Sequence, residues 1–195
     1  IGVGNTSSVN HALRRLGVEA NFVSKTDQLS SETLIIPGVG SAQYFMEKID
    51  KSGFRQCLVD CAASGKRMIG ICLGFQMLGQ YSEEDGGVEG LGILSGCAEK
   101  LNTHTSHNGW ERYTFDKKYL ANRSSTQLTL KRKLAGRVFY NHEYGFINKD
   151  DCYDQKIPGD LHAYSAVVIK GNIIGIQFHP EKSQSTGLNL FSMIL

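Results

Sequence analysis

The chain has 195 residues, of which 41% are hydrophobic and 21% charged, a composition typical of one globular domain. Its net charge of +2 is too small to indicate nucleic-acid binding, and no run of eighteen apolar residues could span a bilayer. The five cysteines are odd in number and form no metal-type pair, which favours free thiols in a reducing cytoplasm. We expect a single cytoplasmic domain over residues 1–195, without a metal.

The first half of the chain alternates predicted helices and strands. In chain order these are a helix over residues 7–16, strands over 20–23 and 34–36, helices over 44–49 and 54–63, and a buried strand over 67–71. Such alternation favours a parallel sheet with helices on both faces. Catalytic residues of such a sheet lie at the carboxyl ends of its strands.

Beyond Gly86, glycine-punctuated segments of alternating polarity replace this pattern. They predict antiparallel strands over residues 91–94, 112–115, 127–130 and 137–146. An apolar run over residues 172–178, rich in β-branched side chains, predicts one more buried strand. The predicted fold class is therefore α/β: a mixed, largely parallel central sheet with flanking helices and an antiparallel extension.

Basic residues cluster in one stretch of this second half. They are Lys117, Lys118, Arg123, Lys131, Arg132 and Lys133. A solvated loop face is the ordinary interpretation of such a cluster, and contact with a partner or a phosphate is the alternative.

Cys72 is a candidate nucleophile because of its surroundings, Gly-Ile-Cys-Leu-Gly over residues 70–74. Glycines two places to either side suit a sharp turn from strand to helix, where a Cβ would obstruct the backbone and the substrate. A helix predicted just beyond Cys72 presents free amides and its positive dipole end to a thiolate. The alternative is a buried core cysteine, the usual location of a free thiol.

His179 is the candidate base that completes the arrangement. The predicted strand over residues 172–178 delivers His179 at its end, and Pro180 then ends the hydrogen-bond ladder. Glu181, two residues on, can reach the far imidazole nitrogen, where a carboxylate determines the tautomer and raises the basicity. Cys72, His179 and Glu181 together indicate a cysteine hydrolase, although a lone histidine at a strand end is more often structural.

Five motifs in the same order resemble the class I glutamine amidotransferases, and among them the glutaminase subunits of imidazole glycerol phosphate synthase. The motifs are Gly-Asn-Thr-Ser-Ser-Val over residues 4–9, Pro-Gly-Val-Gly over 37–40, the Cys72 turn with Gln76 and Ser82 to Glu84, Gly109-Trp110, and His-Pro-Glu-Lys-Ser over 179–183. The resemblance covers nearly the whole chain. It implies a flavodoxin-like fold and no cofactor.

The resemblance also implies roles for further residues. By pattern alone, residues 37–40 are a strand-terminating turn, but in the family this loop and the amide of residue 73 form an oxyanion hole. The oxyanion residues are then Gly38, Val39, Gly40 and Leu73. The glutamine-binding residues are Gln76, Glu84, His142, Glu143 and Tyr144, where Glu143 replaces the small hydroxyl residue of the family. By sequence alone, Glu84 is equally a solvated helix end.

Class I amidotransferases hydrolyse glutamine through a thioester and pass the ammonia to a synthase. The resemblance implies that this chain forms a heterodimer with a (β/α)8-barrel cyclase, with Asn5, Trp110 and Lys182 at the interface. A core tryptophan and a surface lysine are the structural alternatives for Trp110 and Lys182.

The identity of the synthase has two interpretations. The first is the cyclase of histidine biosynthesis, and the second is a paralogue that supplies ammonia for sugar amidation on surface polysaccharides. The resemblance predicts the histidine-pathway cyclase, and the sugar-amidation paralogue is the alternative that departures from the family pattern could mark: residues 106–108, Glu111, Glu143 and the region 117–134. A catalytically idle regulatory scaffold and an unrelated cysteine hydrolase are further alternatives, which the intact triad and Gln76, respectively, disfavour.

The segment Ile-Gly-Val-Gly-Asn that opens the chain follows the first buried strand in the family. We therefore expect one further strand ahead of it, because a central strand without its neighbour would leave backbone groups unpaired.

Overall fold

In the computed structural model, which describes residues 4–103, 106–116 and 133–195, the chain folds around a five-stranded sheet. The described helices are α1 (Thr6–Arg15), α2 (Ala42–Lys51), α3 (Phe54–Ala63), α4 (Leu73–Gln76) and α5 (Gln184–Ile194). The described strands are β1 (Thr33–Gly38), β2 (Arg67–Cys72), β3 (Tyr81–Ser82), β4 (Val88–Glu89), β5 (Gly96–Lys100), β6 (His107–Asp116), β7 (Lys133–His142), β8 (Tyr144–Asn148), β9 (Tyr153–Lys156), β10 (Ser165–Lys170) and β11 (Ile173–Ile176).

The central sheet has the order β1-β2-β11-β10-β9. The first three strands are parallel, whereas β10 and β9 continue the sheet in antiparallel pairs. Gly38 pairs with Cys72 at the carboxyl ends of β1 and β2, and β11 ends at the same edge. Since parallel strands end on one side of a sheet, this register brings the nucleophile, the glycine loop and the segment after β11 together. The predicted α/β class is confirmed.

Side chains of the central strands alternate between two hydrophobic layers. Met68 of β2 packs in a layer with α2 and α3, whereas Ile69 and Ile71 pack in a second layer with α1 and α5. All three are at most 1% exposed, and burial of each such side chain contributes roughly 1.5–3 kcal/mol. Helices therefore cover both faces of the sheet, as predicted. In the described parts of the chain, no helix is long and apolar enough to cross a membrane.

Two smaller sheets complete the structure. Strands β4, β3, β5 and β8 form one of them, and the long strands β6 and β7 pair along their whole length as an antiparallel ribbon. A single bridge joins Phe139 of the ribbon to His179 after β11. The predicted strand over residues 137–146 is in fact two, because the chain leaves one sheet at His142 and enters another at Tyr144. The segment 127–130 and the basic stretch 117–118, 123 and 131–132 lie outside the described residues.

The prediction of a strand over residues 20–23 is wrong, because no described strand pairs with this segment. It is separated from β1 by a cavity of about 330 Å³ whose lining is largely apolar. Among the described residues, β1 pairs only with β2, so its other edge faces this groove. A strand exists only where a neighbour satisfies its backbone groups, which the alternation of side chains cannot reveal.

The prediction of a strand over residues 91–94 is also wrong. The amides of Leu91, Ile93 and Leu94 donate to carbonyls of Met77 and Leu78, at the turn that follows α4. The segment therefore forms a tight loop against that turn, and its apolar side chains fill the core there. The sequence did not predict β3, β4, β5, β9, β10 or α5.

Candidate active site

Cys72 occupies a strained turn between β2 and α4. Its φ of 52° and ψ of −115° lie outside the regions that non-glycine residues ordinarily occupy. A Cβ on Gly70 would lie 2.7 Å from the Phe75 Cα, and one on Gly74 would overlap the Ile36 carbonyl. Both glycines are thus required for the close approach of strand and helix, as the motif predicts. The helix is shorter than expected, a single turn of four residues.

His179 and Glu181 form a buried pair beside this turn. The Nδ1 atom of His179 lies 2.8 Å from Oε1 of Glu181, and each side chain is only 2% exposed. Burial alone lowers the pKa of His179, but its interactions with Cys72 and Glu181 outweigh burial and raise the pKa to about 9. Because Nδ1 of His179 is hydrogen-bonded to Glu181, Nε2 is the ring nitrogen that is available to the Cys72 thiol.

Ser183 connects this pair to the β6–β7 ribbon. Its hydroxyl donates to the His179 carbonyl at 2.6 Å and accepts from the Phe139 amide at 2.9 Å. The His179 amide in turn donates to the Phe139 carbonyl at 2.9 Å. Two sets of hydrogen bonds therefore anchor the His179 backbone to the ribbon. Ser183 is part of the His-Pro-Glu-Lys-Ser motif, but the sequence did not predict this anchoring role.

The Pro-Gly-Val-Gly loop begins in contact with the nucleophile turn. A Cβ on Gly38 would overlap the Gly74 amide nitrogen and lie 2.9 Å from the Leu73 Cβ. Val39, in contrast, is 40% exposed, and Gly40 has a φ of 97° with open space around it. Gly38 is packed tightly against the turn, whereas Val39 and Gly40 border open space.

Gln76 and His142 lie behind Cys72, and both are largely buried. The Gln76 amide nitrogen donates to the Tyr144 carbonyl at 2.5 Å and to the Gln177 side-chain oxygen at 3.1 Å. The Nδ1 atom of His142 lies 2.9 Å from the same Tyr144 carbonyl. Burial, which His107 and His179 reinforce, lowers the pKa of His142 to about 3. These side chains support the backbone of the expected glutamine wall.

Four acidic residues lie around the Tyr144 side chain: Glu83, Glu84, Asp85 and Glu143. Burial, the neighbouring Asp85 charge and the Glu143 charge raise the pKa of Glu84 to about 7, although an amide of α2 opposes the shift. Asp85 accepts from Ser41 at 2.5 Å and from the Gln43 amide at 3.0 Å, at the start of α2. Glu143 thus adds negative charge near Glu84, where the family has a neutral residue.

The three expected interface residues, Asn5, Trp110 and Lys182, lie in two different parts of the structure. Trp110 is 36% exposed and lies 5.7 Å from the Phe139 ring, over which the Lys182 ammonium sits at 5.8 Å. The structure therefore brings Trp110 and Lys182 to one surface. Asn5 caps α1 by accepting from the Ser8 amide. A Cβ on its neighbour Gly4 would lie 2.8 Å from the Pro37 carbonyl oxygen, so Asn5 lies beside the start of the glycine loop.

Sequence reasoning missed two polar residues at the site, Gln177 and His107. Gln177 is fully buried, with its amide nitrogen 3.9 Å from the Cys72 sulfur, and His107 Nδ1 lies 3.0 Å from His142 Nε2. A polar residue inside the apolar run of residues 172–178 was the available signal for Gln177, because a buried amide requires partners.

A cysteine at a strained strand-to-helix turn, with a buried His–Glu pair at the same sheet edge, forms a cysteine-hydrolase site of the amidotransferase type. Comparison of the sequence with known protein families agrees with this site: residues 1–192 match the family described as Glutamine amidotransferase class-I. The chain belongs to that family.

Within this family, the chain is similar to proteins that share one name. The chain is 36% identical over 193 residues to imidazole glycerol phosphate synthase subunit HisH of Listeria innocua, which covers 96% of this chain and 88% of the relative. It is 32% identical over 207 residues to the Bacillus subtilis protein of the same name, which covers 98% of this chain and 91% of the relative.

Solved structures support the fold. A crystal structure described as a glutamine amidotransferase superposes with a TM-score of 0.72 at 19% identity and covers 97% of this chain and 92% of that chain. The PurLQS structure from Thermotoga maritima superposes with a TM-score of 0.70 at 23% identity, and the match covers 99% of this chain and 92% of that chain.

Proposed function

We propose that this protein is the glutaminase subunit of imidazole glycerol phosphate synthase, which hydrolyses L-glutamine to glutamate and ammonia for histidine biosynthesis. The observation that carries the chemistry is the buried His179–Glu181 contact of 2.8 Å beside Cys72. The observation that carries the pathway is the identity of 32% and 36% to proteins named subunit HisH, over nearly their whole length. The sugar-amidation alternative has no such support.

In the first half of the reaction, His179 Nε2 takes the thiol proton of Cys72, and the thiolate attacks the side-chain carbonyl carbon of glutamine. Amides of the residue 38–40 loop and of Leu73 donate to the oxyanion, each donor contributing roughly 2.7–4 kcal/mol by comparison with a serine protease. When the tetrahedral intermediate collapses, the C–N bond breaks and His179 gives its proton to the leaving nitrogen. Ammonia leaves, and a γ-glutamyl thioester remains.

In the second half, His179 takes a proton from water as the water oxygen attacks the thioester carbonyl. The C–S bond breaks, glutamate leaves, and the sulfur recovers its proton from the imidazole. Glu181 stabilises the imidazolium in both halves and holds the tautomer that presents Nε2 to the sulfur. One glutamine and one water thereby give one glutamate and one ammonia.

Recognition of glutamine is assigned to the residues around Tyr144. The raised pKa of Glu84, about 7, supports a carboxylate that is ready to ionise beside the α-ammonium of the substrate. Glu143 strengthens the negative potential at that point, so the substitution suits binding of a cation. Gln76, His142 and the Tyr144 carbonyl hold the backbone behind it.

The ammonia is consumed by a partner, which we propose to be a (β/α)8-barrel cyclase in a cytoplasmic heterodimer. Trp110, Phe139 and Lys182 form an exposed aromatic and basic surface on the ribbon that anchors His179. Docking there would place the partner next to the site of ammonia release. All five cysteines are free, which is consistent with a reducing compartment.

The test measures glutamate release from glutamine by the full-length protein, alone and with the cyclase barrel of the same organism, with and without the cyclase substrate. We expect strong stimulation by the loaded cyclase and no release by Cys72→Ala. A silent mixture, in spite of thiol labelling at Cys72, would overturn the assignment to this synthase. Unchanged cyclase activity with glutamine in Cys72→Ala would instead indicate a scaffold.

A further inference from the structure

An unbroken series of polar contacts leads from the β6–β7 ribbon to the nucleophile. The imidazoles of His107 and His142 lie 3.0 Å apart, and His142 lies 2.9 Å from the Tyr144 carbonyl. Gln76 donates to that carbonyl and to the Gln177 oxygen, and the Gln177 nitrogen ends the series 3.9 Å from the Cys72 sulfur. His142, Gln76 and Gln177 are 7%, 3% and 0% exposed, so water does not substitute freely for these contacts.

The direction of each contact follows from the groups involved. A carbonyl oxygen only accepts, so Nδ1 of His142 carries a proton toward Tyr144. His142 is neutral, since burial lowers its pKa, and its Nε2 therefore accepts from the protonated Nδ1 of His107.

The same reasoning orients both glutamine side chains. Gln76 directs its amide hydrogens to two acceptors, the Tyr144 carbonyl and the Gln177 oxygen. Gln177 uses its oxygen as that acceptor, so its NH₂ group faces the Cys72 sulfur.

Besides His179, the sulfur has one polar neighbour suited to each of its protonation states. The Asn141 carbonyl, 3.9 Å away, only accepts and serves the neutral thiol as it donates. The Gln177 amide, also at 3.9 Å, only donates and serves the thiolate. A donor held in a buried site favours the charged form of its acceptor, because no reorganisation is needed when the charge appears.

We propose that Gln177 is a positioning residue for the nucleophile: its amide N–H stabilises and orients the Cys72 thiolate, and the donor of Gln76, held by the Tyr144 carbonyl that it shares with His142, determines the orientation of that amide. The proposal rests on the proposed function, since it concerns the same thiol. It adds a donor to the thiolate that is separate from His179, the imidazole whose own proton is exchanged during catalysis. Glu181, His142 and His107, whose Nε2 atom lies 3.7 Å from the Glu111 carboxylate, are the other titratable groups on this side of the site.

The test is the pH dependence of Cys72 alkylation by iodoacetamide in the full chain, with Cys72→Ala used to subtract the other thiols. Gln177→Met keeps the length of the side chain and removes the donor. The midpoint of its alkylation profile should lie at a higher pH than that of the unaltered protein, because the thiolate has lost a donor. A profile identical to that of the unaltered protein would overturn the proposal.

A second pair of variants tests the remote end without touching the sulfur. His107→Phe removes the donor to His142 and keeps the ring that stacks on Tyr140 at 4.3 Å, whereas His107→Asn keeps a donor at the position of Nδ1. We expect a smaller rise of the midpoint in His107→Phe and restoration in His107→Asn. Equal profiles for the two would overturn the role of His107, even if Gln177→Met failed to fold.

Alkylation needs neither glutamine nor the partner, so failure of the positioning role and failure of the proposed function give different results. If Cys72→Ala retained glutamate release while Gln177→Met shifted the profile, the proposed function would fail and the positioning role would stand. If Cys72→Ala abolished release and Gln177→Met left the profile unchanged, the reverse would hold.

Discussion

Glu181 acts on Cys72 only through the imidazole between them. Its carboxylate is 2.8 Å from His179 Nδ1, and both side chains are almost fully buried, so the interaction is little screened by water. Together with the thiol, it holds the pKa of His179 at about 9 against the opposing effect of burial. A histidine with a raised pKa stabilises the fold fully below about pH 6.5 and loses that contribution as the pH rises through about 9.

Replacement of Glu181 by glutamine tests this coupling. The amide keeps the shape of the carboxylate but not its charge, so the pKa of His179 should fall, and glutamate release should drop at least about 100-fold. Glu47→Gln is the matched control, since Glu47 contacts Lys51 and Gln43 on the surface of α2, away from the site. Equal activities of the two variants in the presence of the cyclase would contradict the assigned role.

Glu84 should make glutamine binding pH-dependent. With its pKa at about 7, the carboxyl is mostly neutral at pH 6 and mostly ionised at pH 8, while the substrate α-ammonium stays charged. Calorimetry with the Cys72→Ala variant should therefore show tighter binding as the pH rises across this range. Glu84→Gln should abolish the dependence, whereas Glu83→Gln, whose carboxylate accepts from the Lys100 amide, should retain it. A pH dependence that survived in Glu84→Gln would exclude Glu84 as its source.

At the scale of elements, the site depends on how closely β1, β2 and α4 approach each other. Gly38 and Cys72 pair in register, and the absence of a side chain at Gly38 lets the start of the glycine loop touch Leu73 and Gly74. The atoms that a Cβ would meet there are largely backbone, which cannot move aside as a flexible side chain would.

Gly38→Ala should therefore push the loop away from the turn. We expect a destabilisation of about 1–3 kcal/mol, as for other overpacked sites, and a loss of glutamate release greater than this destabilisation explains. Denaturant unfolding and the coupled glutaminase assay measure the two effects. Val39→Ala, a change at an exposed neighbouring side chain, should leave the stability nearly unchanged. Similar results for both variants would refute the steric argument.

The further N-terminal strand stays a prediction. Among the described residues, β1 has a neighbouring strand on one side only, and a largely apolar groove lies along its other edge. The Asn10 side-chain oxygen, in the wall of the groove, is buried without a hydrogen-bond partner in the described structure.

An extension of about five β-branched residues ahead of Ile1, the usual length of a strand, should raise the midpoint of thermal unfolding. It should also slow amide exchange in β1, since β1 would gain a second neighbour. A Gly/Ser extension of equal length is the control. If both extensions left the midpoint and the exchange unchanged, the groove would not be a strand site.

At the scale of the whole molecule, the chemistry and the expected docking surface share one ribbon. Phe139 binds the His179 backbone through its own main chain, while its ring lies between Trp110 and Lys182. A partner that contacts this surface would therefore touch the element that holds the base. This arrangement suits an enzyme whose ammonia must pass to a partner.

Trp110→Ala should weaken binding of the cyclase at least about tenfold, because a half-exposed tryptophan beside basic side chains is typical of an interface hot spot. Tyr44→Ala is the matched control, since Tyr44 is an exposed aromatic residue with Lys48 over its ring on α2. Titration by surface plasmon resonance or calorimetry measures both. A cyclase affinity unaffected by Trp110→Ala would move the interface elsewhere.

The catalytic candidates could be predicted from the sequence because each depends on its nearest neighbours in the chain. The glycines around Cys72 and the spacing of His179 and Glu181 are local patterns, and helices such as α3 follow from local apolar spacing. The strand predicted over residues 20–23 failed because strand formation requires a partner distant in sequence. The strand predicted over residues 91–94 does not form because their amides donate to carbonyls that follow α4, and not to a neighbouring strand.

The sequence by itself determined the α/β class, the nucleophile turn and the His–Glu pair, since short-range sterics and residue chemistry dictate them. Only the tertiary structure decided that Gly38 meets Leu73, that Trp110 and Lys182 share a surface, and that the amide of Gln177 faces the sulfur of Cys72. The physical reason is that strand register, together with the donors and acceptors buried by packing, orients groups that lie far apart in the chain, and no local pattern encodes that orientation.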